Sequence, residues 1–104
     1  MVELRRYERT PIDIAIEFSR PGSEARTPGR ARDISIGGMF IETAAPQAFS
    51  AEIVVHLTIP GQRAALAIPG VVRWARSGGM GVQFQLLGAR ETHAIMSLTT
   101  QKKK

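Results

Sequence analysis

The stretch Ile12-Asp13-Ile14-Ala15-Ile16-Glu17-Phe18 decides the fold. Its apolar residues return at every second position, the period of a strand with one face buried. Working outward, the same alternation recurs in Glu52 to Ile59 through Ile53, Val55 and Leu57, in Leu66, Ile68, Val72 and Trp74, and in Met80, Val82, Phe84 and Leu86. Arg20-Pro21-Gly22-Ser23, Pro60-Gly61 and Ser77-Gly78-Gly79 punctuate these runs as turns. A further strand starting near Arg30 puts Ala31, Asp33 and Ser35 on one face and Arg32, Ile34 and Ile36 on the other, until Gly37-Gly38 imposes a bulge or kink. Met39 to Thr43 resumes as extended chain, and Ala44 to Ser50 is a connection. Pro69-Gly70 bends its long strand or places it at an edge. Five or six strands at this spacing predict an all-β sandwich or barrel. Gly88 to Thr100 reads instead as one helix, with Leu87, Ile95 and Leu98 on one side. Met39, Met80 and Met96 are read as core filler.

The chain has 104 residues, of which 43% are hydrophobic and 22% charged, the composition of one globular domain. Its net charge of +5 includes the three lysines of the tail Lys102-Lys103-Lys104, so the body carries an excess of only two. That is too small a basic field for a general nucleic-acid binder, and no nucleic-acid partner is expected. The eleven basic residues outside the tail are all arginine, and seven of them precede Asp33. Arginine presents a planar fork of donors that fits phosphate or a guanine edge, where lysine presents a point charge. The absence of cysteine excludes a disulfide framework, a thiolate metal site and a cysteine nucleophile, and places the chain in the cytoplasm as an expectation. No run approaches the roughly 20 apolar residues of a membrane span, so no membrane insertion is expected.

Catalytic readings fail for want of groups. His56 and His93 are the only histidines; neither has a carboxylate at ligand spacing, and both are read as surface residues with no metal site between them. Every lysine lies in the last three positions, which excludes the phosphate loop of nucleotide triphosphatases. Gly78-Gly79-Met80-Gly81 lies between two strands rather than before a helix, and is a hairpin turn rather than a dinucleotide fingerprint. The chain is therefore not expected to be an enzyme.

Two local features remain. Arg5-Arg6-Tyr7-Glu8-Arg9 immediately precedes the first strand, as a cationic arm able to fold over a bound anion. Asp33-Ile34-Ser35-Ile36-Gly37-Gly38 offers an acceptor and a hydroxyl on one face, followed by glycines that permit close backbone approach. Guanine explains why one site would carry both: its N7 and O6 accept from an arginine fork, while its N1 and N2 hydrogens need an acceptor.

Arg5-x-x-x-Arg9 before a strand, followed by Asp33-x-Ser35-x-x-Gly38, resembles the paired signature of the PilZ domain, a bacterial receptor for cyclic di-GMP. Gly38-Met39-Phe40-Ile41, Val71-Val72-Arg73-Trp74 and Gly81-Val82-Gln83-Phe84 also resemble PilZ strand segments, in the family's order. The resemblance implies a six-stranded antiparallel barrel with a C-terminal helix, and a stand-alone single-domain member. Residues 1–11 would form an arm carrying the arginines, 12–100 the barrel and helix, and 101–104 a basic tail. It further implies that Arg5 and Arg9 grip phosphate and guanine, that Arg6 reinforces them, that Asp33 and Ser35 bind a guanine edge, and that Gly38, with Gly37, leaves room for the base. Trp74 aligns with an aromatic position that lies against ligand in some members; on its own alternation it is a core residue. Leu4 stands where relatives that bind an intercalated ligand dimer carry another arginine, which implies one cyclic di-GMP per domain. Cyclic di-GMP would be the ligand, with no cofactor. An unidentified downstream protein, in control of motility, surface behaviour or biofilm formation, would read the ordered arm. The alternative is an adaptor on the same fold without nucleotide dependence.

Overall fold

The computed structural model describes residues 9–58, 65–85 and 87–101. Six strands, β1 (Thr10–Ser19), β2 (Thr27–Ser35), β3 (Gly38–Glu42), β4 (Glu52–Thr58), β5 (Ala65–Arg76) and β6 (Gly79–Phe84), precede one helix, α1 (Ala89–Gln101). They close into a barrel in the order β1-β2-β3-β6-β5-β4, with every pairing antiparallel. The expected all-β barrel with a C-terminal helix is therefore what the chain forms. Sequence alternation becomes burial: Ile12, Ile16 and Phe18 of β1, Ile53, Val55 and Leu57 of β4 fill the interior while their neighbours face out. Closure joins two pairs of strands distant in sequence. β3 meets β6 from Gly38↔Gln83 to Glu42↔Gly79, whereas among the described residues β1 meets β4 at Glu17↔His56, Phe18↔Val55 and Ser19↔Val54.

Some element bounds differ from the expectation. β1 begins at Thr10, ahead of Ile12, and β2 begins at Thr27 rather than near Arg30, because Pro28 and Gly29 pair with Glu17 and Ile16 instead of forming loop. Pro69-Gly70 neither ends β5 nor lies at an edge: pairing with β4 runs unbroken from Glu52↔Val71 to Thr58↔Ala65, and the Pro69 carbonyl accepts the Gln85 N–H at 2.9 Å. Pro69 faces outward, and Gly70 is buried against Val82, where a Cβ would lie 2.6 Å from Val82 Cγ1.

Helix α1 buries Ala94, Ile95 and Leu98, one stripe at helical spacing, against the barrel. The Gly88 carbonyl accepts the Thr92 N–H at 3.0 Å to start it, and Glu91 in the first turn suits the positive end of the helix dipole. Met39 and Met80 are buried as expected, but Met96 is 55% exposed, since its position falls on the opposite side of the helix from Ile95 and Leu98 packing.

Three bulges interrupt the ladders, and two of them face one another across the surface described next. One lies in β2 between Ala31 and Asp33, opposite Ile41 and Phe40; the other lies in β5 between Val72 and Trp74, opposite Val82 and Gly81. A bulge adds one residue to a strand and so reverses which residues point inward beyond it. Ala31 and Ile34 are consequently both in the core, and Ala31 does not share the face of Asp33 and Ser35 that unbroken alternation gives it. Asp33 and Ser35 keep a common face, on either side of buried Ile34.

Candidate ligand-binding surface

Strand pairing brings the two signature segments together. Thr10 pairs with Ile34 and Pro11 with Asp33, so the residue just before β1 stands beside the Asp33 carboxylate. The Arg9 guanidinium forms an ion pair with Asp33 Oδ1, the same oxygen that accepts the Phe40 backbone N–H at 3.2 Å. Their side chains are 50% and 30% exposed, so the pair is open to solvent and to a ligand. Arg5 and Arg6 lie outside the described residues.

Ser35 and the glycines hold the β2–β3 turn. Ser35 is buried, and its Oγ accepts the Gly37 N–H at 3.1 Å. The Gly37 carbonyl accepts the Phe84 N–H at 2.9 Å, which ties this turn to the end of β6. A Cβ on Gly38 would lie 2.1 Å from the Val82 carbonyl oxygen, so strand packing alone requires glycine there.

The β5 bulge overturns the core reading of Trp74. Val72 stays in the core, and Trp74, two positions on, turns out to the surface with 42% exposure. Its indole lies over Gly81, where a Cβ would come within 2.2 Å of Nε1. Phe40 lies over Gly79 in the same way, and the two rings are nearly parallel, 13° apart with centroids 5.4 Å from one another. Arg76 holds its guanidinium 5.2 Å from the Trp74 ring and 5.5 Å from the Phe40 ring. Neither Phe40 nor Arg76 was marked by the sequence reading. The signal available was the pair Gly79 and Gly81, two glycines on one face of β6 that leave a bare strip for rings from both neighbouring strands.

Register connects these groups into one row across four adjacent strands: Asp33 opposite Phe40, Phe40 opposite Gly81, and Gly81 opposite Trp74. At about 4.8 Å per strand, the backbones of β2 and β5 lie roughly 14 Å apart along the sheet, and the side chains of Asp33, Phe40 and Trp74 span the interval between them. The surface thus offers a cation and an acceptor at one end and flat aromatic faces at the other. A groove of about 840 Å³ lies elsewhere, lined by Ala15, Gly29, Glu17, Arg30 and His56, and no signature residue lines it.

His56 is half-buried in that groove rather than free on the surface. Its Nε2 is 2.9 Å from Ser19 Oγ across the β1–β4 pairing, and burial, then the nearby Arg26 charge, lower its pKa against the opposing pull of Glu17. His93 is exposed on α1, as expected. Among the described residues no group of three or more His, Asp or Glu side chains could hold a metal ion, and no helix is long and apolar enough to cross a membrane.

The family model of the PilZ domain matches residues 3–101, nearly the whole chain. The chain belongs to the PilZ domain family. A PilZ domain is a ligand-binding receptor module and not an enzyme. Among curated proteins, the cellulose synthase catalytic subunit (UDP-forming) of Xanthomonas axonopodis pv. citri is 26% identical over 97 residues, which are 93% of this chain but only 13% of that protein. Among solved structures, the PilZ domain of CeSA from a cellulose-synthesizing bacterium superposes with a TM-score of 0.74 at 16% identity, covering 93% of this chain and 99% of that one. The PilZ domain of YcgR from Escherichia coli, solved with c-di-GMP, gives 0.75 at 12% identity over 95% of this chain and 91% of that one.

Proposed function

We propose that this PilZ domain is a cyclic di-GMP receptor, with Arg5, Arg6, Arg9, Asp33, Ser35, Gly37, Gly38 and Trp74 in its site. The observation that carries the reading is the ion pair of Arg9 with Asp33, residues 24 positions apart that occupy one spot on the barrel. Without ligand, the donor fork and the carboxylate satisfy each other. A guanine base answers both at once, its N7 and O6 accepting from arginine and its N1 and N2 hydrogens donating to Asp33. The messenger's phosphates then take the remaining guanidinium donors of the arm, residues 1–11, against the barrel and helix of residues 12–100, with residues 101–104 a basic tail.

Ligand binding exchanges an internal ion pair for contacts that tie arm, barrel and nucleotide together, a population shift toward an ordered arm. The ordered surface signals to a downstream protein in the cytoplasm, in control of motility, surface behaviour or biofilm formation. YcgR, solved with c-di-GMP, supports the choice of ligand. Calorimetric titration of the purified protein with cyclic di-GMP, with GTP and cyclic di-AMP as controls, tests the reading. Saturable binding of cyclic di-GMP alone is expected; equal or absent responses to all three nucleotides would refute it.

A further inference from the structure

Phe40, Trp74 and Arg76 form an assembly that the paired signature does not account for. The rings lie flat on the bare strip of β6 above Gly79 and Gly81 and make an apolar pavement that starts at Phe40, whose N–H is bonded to Asp33. Arg76 stands over both rings. Among the described arginines, Arg9, Arg26, Arg30 and Arg32 each pair with a carboxylate; Arg20, Arg73, Arg76 and Arg90 do not, and of these Arg76 is the one that rests its charge on ring faces. A guanidinium on exposed rings is held weakly compared with one bonded to an anion, so Arg76 is free to move to a ligand that reaches the rings. Cyclic di-GMP carries two purines and two phosphates. With one guanine edge on Asp33, a second purine and a phosphate remain to be held, and the pavement begins at Phe40, the residue whose N–H is bonded to that carboxylate.

We infer that Arg76 is a further ligand-binding residue: a purine takes its place on the Phe40–Trp74 pavement, and its guanidinium moves to the anionic phosphate beside that purine. This rests on the cyclic di-GMP reading above. It gives Arg76, at the end of β5, the role of a second cationic clamp, about three strand spacings from Asp33 on β2. A planar fork serves both states, stacking flat on rings without ligand and bonding phosphate with it, which a lysine does less well.

The test is calorimetric titration of cyclic di-GMP into the full chain and into its Arg76→Ala, Arg76→Lys and Arg20→Ala variants. Arg20 is an exposed arginine just beyond the far end of β1. Arg76→Ala is expected to weaken binding about tenfold and to flatten the dependence of affinity on salt, Arg76→Lys to fall between, and Arg20→Ala to match the wild type. Trp74 is the sole tryptophan, so its emission reports the pavement directly and is expected to be quenched by ligand. Affinity in Arg76→Ala within twofold of the wild type, or tighter, overturns the inference while leaving the receptor reading standing. A wild type that gives no heat with cyclic di-GMP overturns both. Thermal melting accompanies each titration, and Arg76→Lys decides the matter should the alanine variant melt early.

Discussion

Replacing Asp33 separates the carboxylate's structural role from its role toward a ligand. Its Oδ1 holds two donors, the Arg9 guanidinium and the Phe40 N–H at 3.2 Å. With side chains 50% and 30% exposed, the ion pair contributes roughly 0.2–1 kcal/mol to folding. The bond from the Phe40 N–H adds about 1 kcal/mol. Asp33→Ala should therefore lower stability by about 1–2 kcal/mol, or roughly 5–10 °C in Tm for a domain of this size. Toward guanine the loss is larger. Two bonds to a charged acceptor contribute roughly 1.5–3 kcal/mol each, less the fraction of a kcal/mol needed to release Arg9, so a net loss of at least about 2 kcal/mol and a rise in Kd of about thirtyfold or more is expected. Asp33→Asn keeps an acceptor for the Phe40 N–H and should melt within a few degrees of the wild type, yet turns an amide toward the guanine donors and should still weaken binding about tenfold. Calorimetry and thermal denaturation on both variants provide the two readouts. A Kd within threefold of the wild type in Asp33→Asn, or a binding loss that merely tracks the loss of stability, would refute the reasoning.

Gly38→Ala sets a Cβ 2.1 Å from the Val82 carbonyl oxygen, a clash with backbone that must part β3 from β6. Chemical denaturation should show a loss of about 2 kcal/mol or more, and an unchanged midpoint would contradict the packing described. Gly81→Ala drives its Cβ into the indole at 2.2 Å, so Trp74 should leave Phe40 and its fluorescence maximum should move toward that of free tryptophan; an unaltered spectrum would mean the ring does not lie there. His56 has a pKa lowered by burial and by Arg26, with Glu17 opposing and Ser19 bonded to its ring, so the unfolded chain takes up the proton more readily than the folded one. Stability should be level above about pH 6.5 and fall as the pH drops below it, and His56→Gln should flatten that fall; superimposable profiles for the two proteins would count against it.

The strands were legible because each has one buried face, and alternation survives in Ile12 to Phe18 and in Ile53 to Leu57 whatever the neighbours do. What the sequence concealed sits at the bulges. An inserted residue leaves the local pattern of Val72, Arg73 and Trp74 looking regular and is visible only in the partner's register, so Trp74 reads as core and emerges as surface. Ala31 is misplaced for the same reason. Of the candidate site, Arg9 and Asp33 were legible as chemistry before their meeting was visible as geometry. Phe40 and Arg76 were not, because what marks them is the missing side chains of Gly79 and Gly81 on another strand. Pro69 misled in the opposite direction: proline disfavours central strands, yet here its ring faces outward and pairing continues past it on β4.

The brevity of the β1–β4 junction makes it the seam expected to zip last and fray first. Ser19 and His56 are 37 residues apart, so the intervening chain must already be arranged before the two edges can meet, and few bonds then reward the meeting. This seam borders the groove lined by Glu17 and His56, and amide protons of Phe18 and Val55 are expected to exchange with solvent sooner than that of equally buried Ile41.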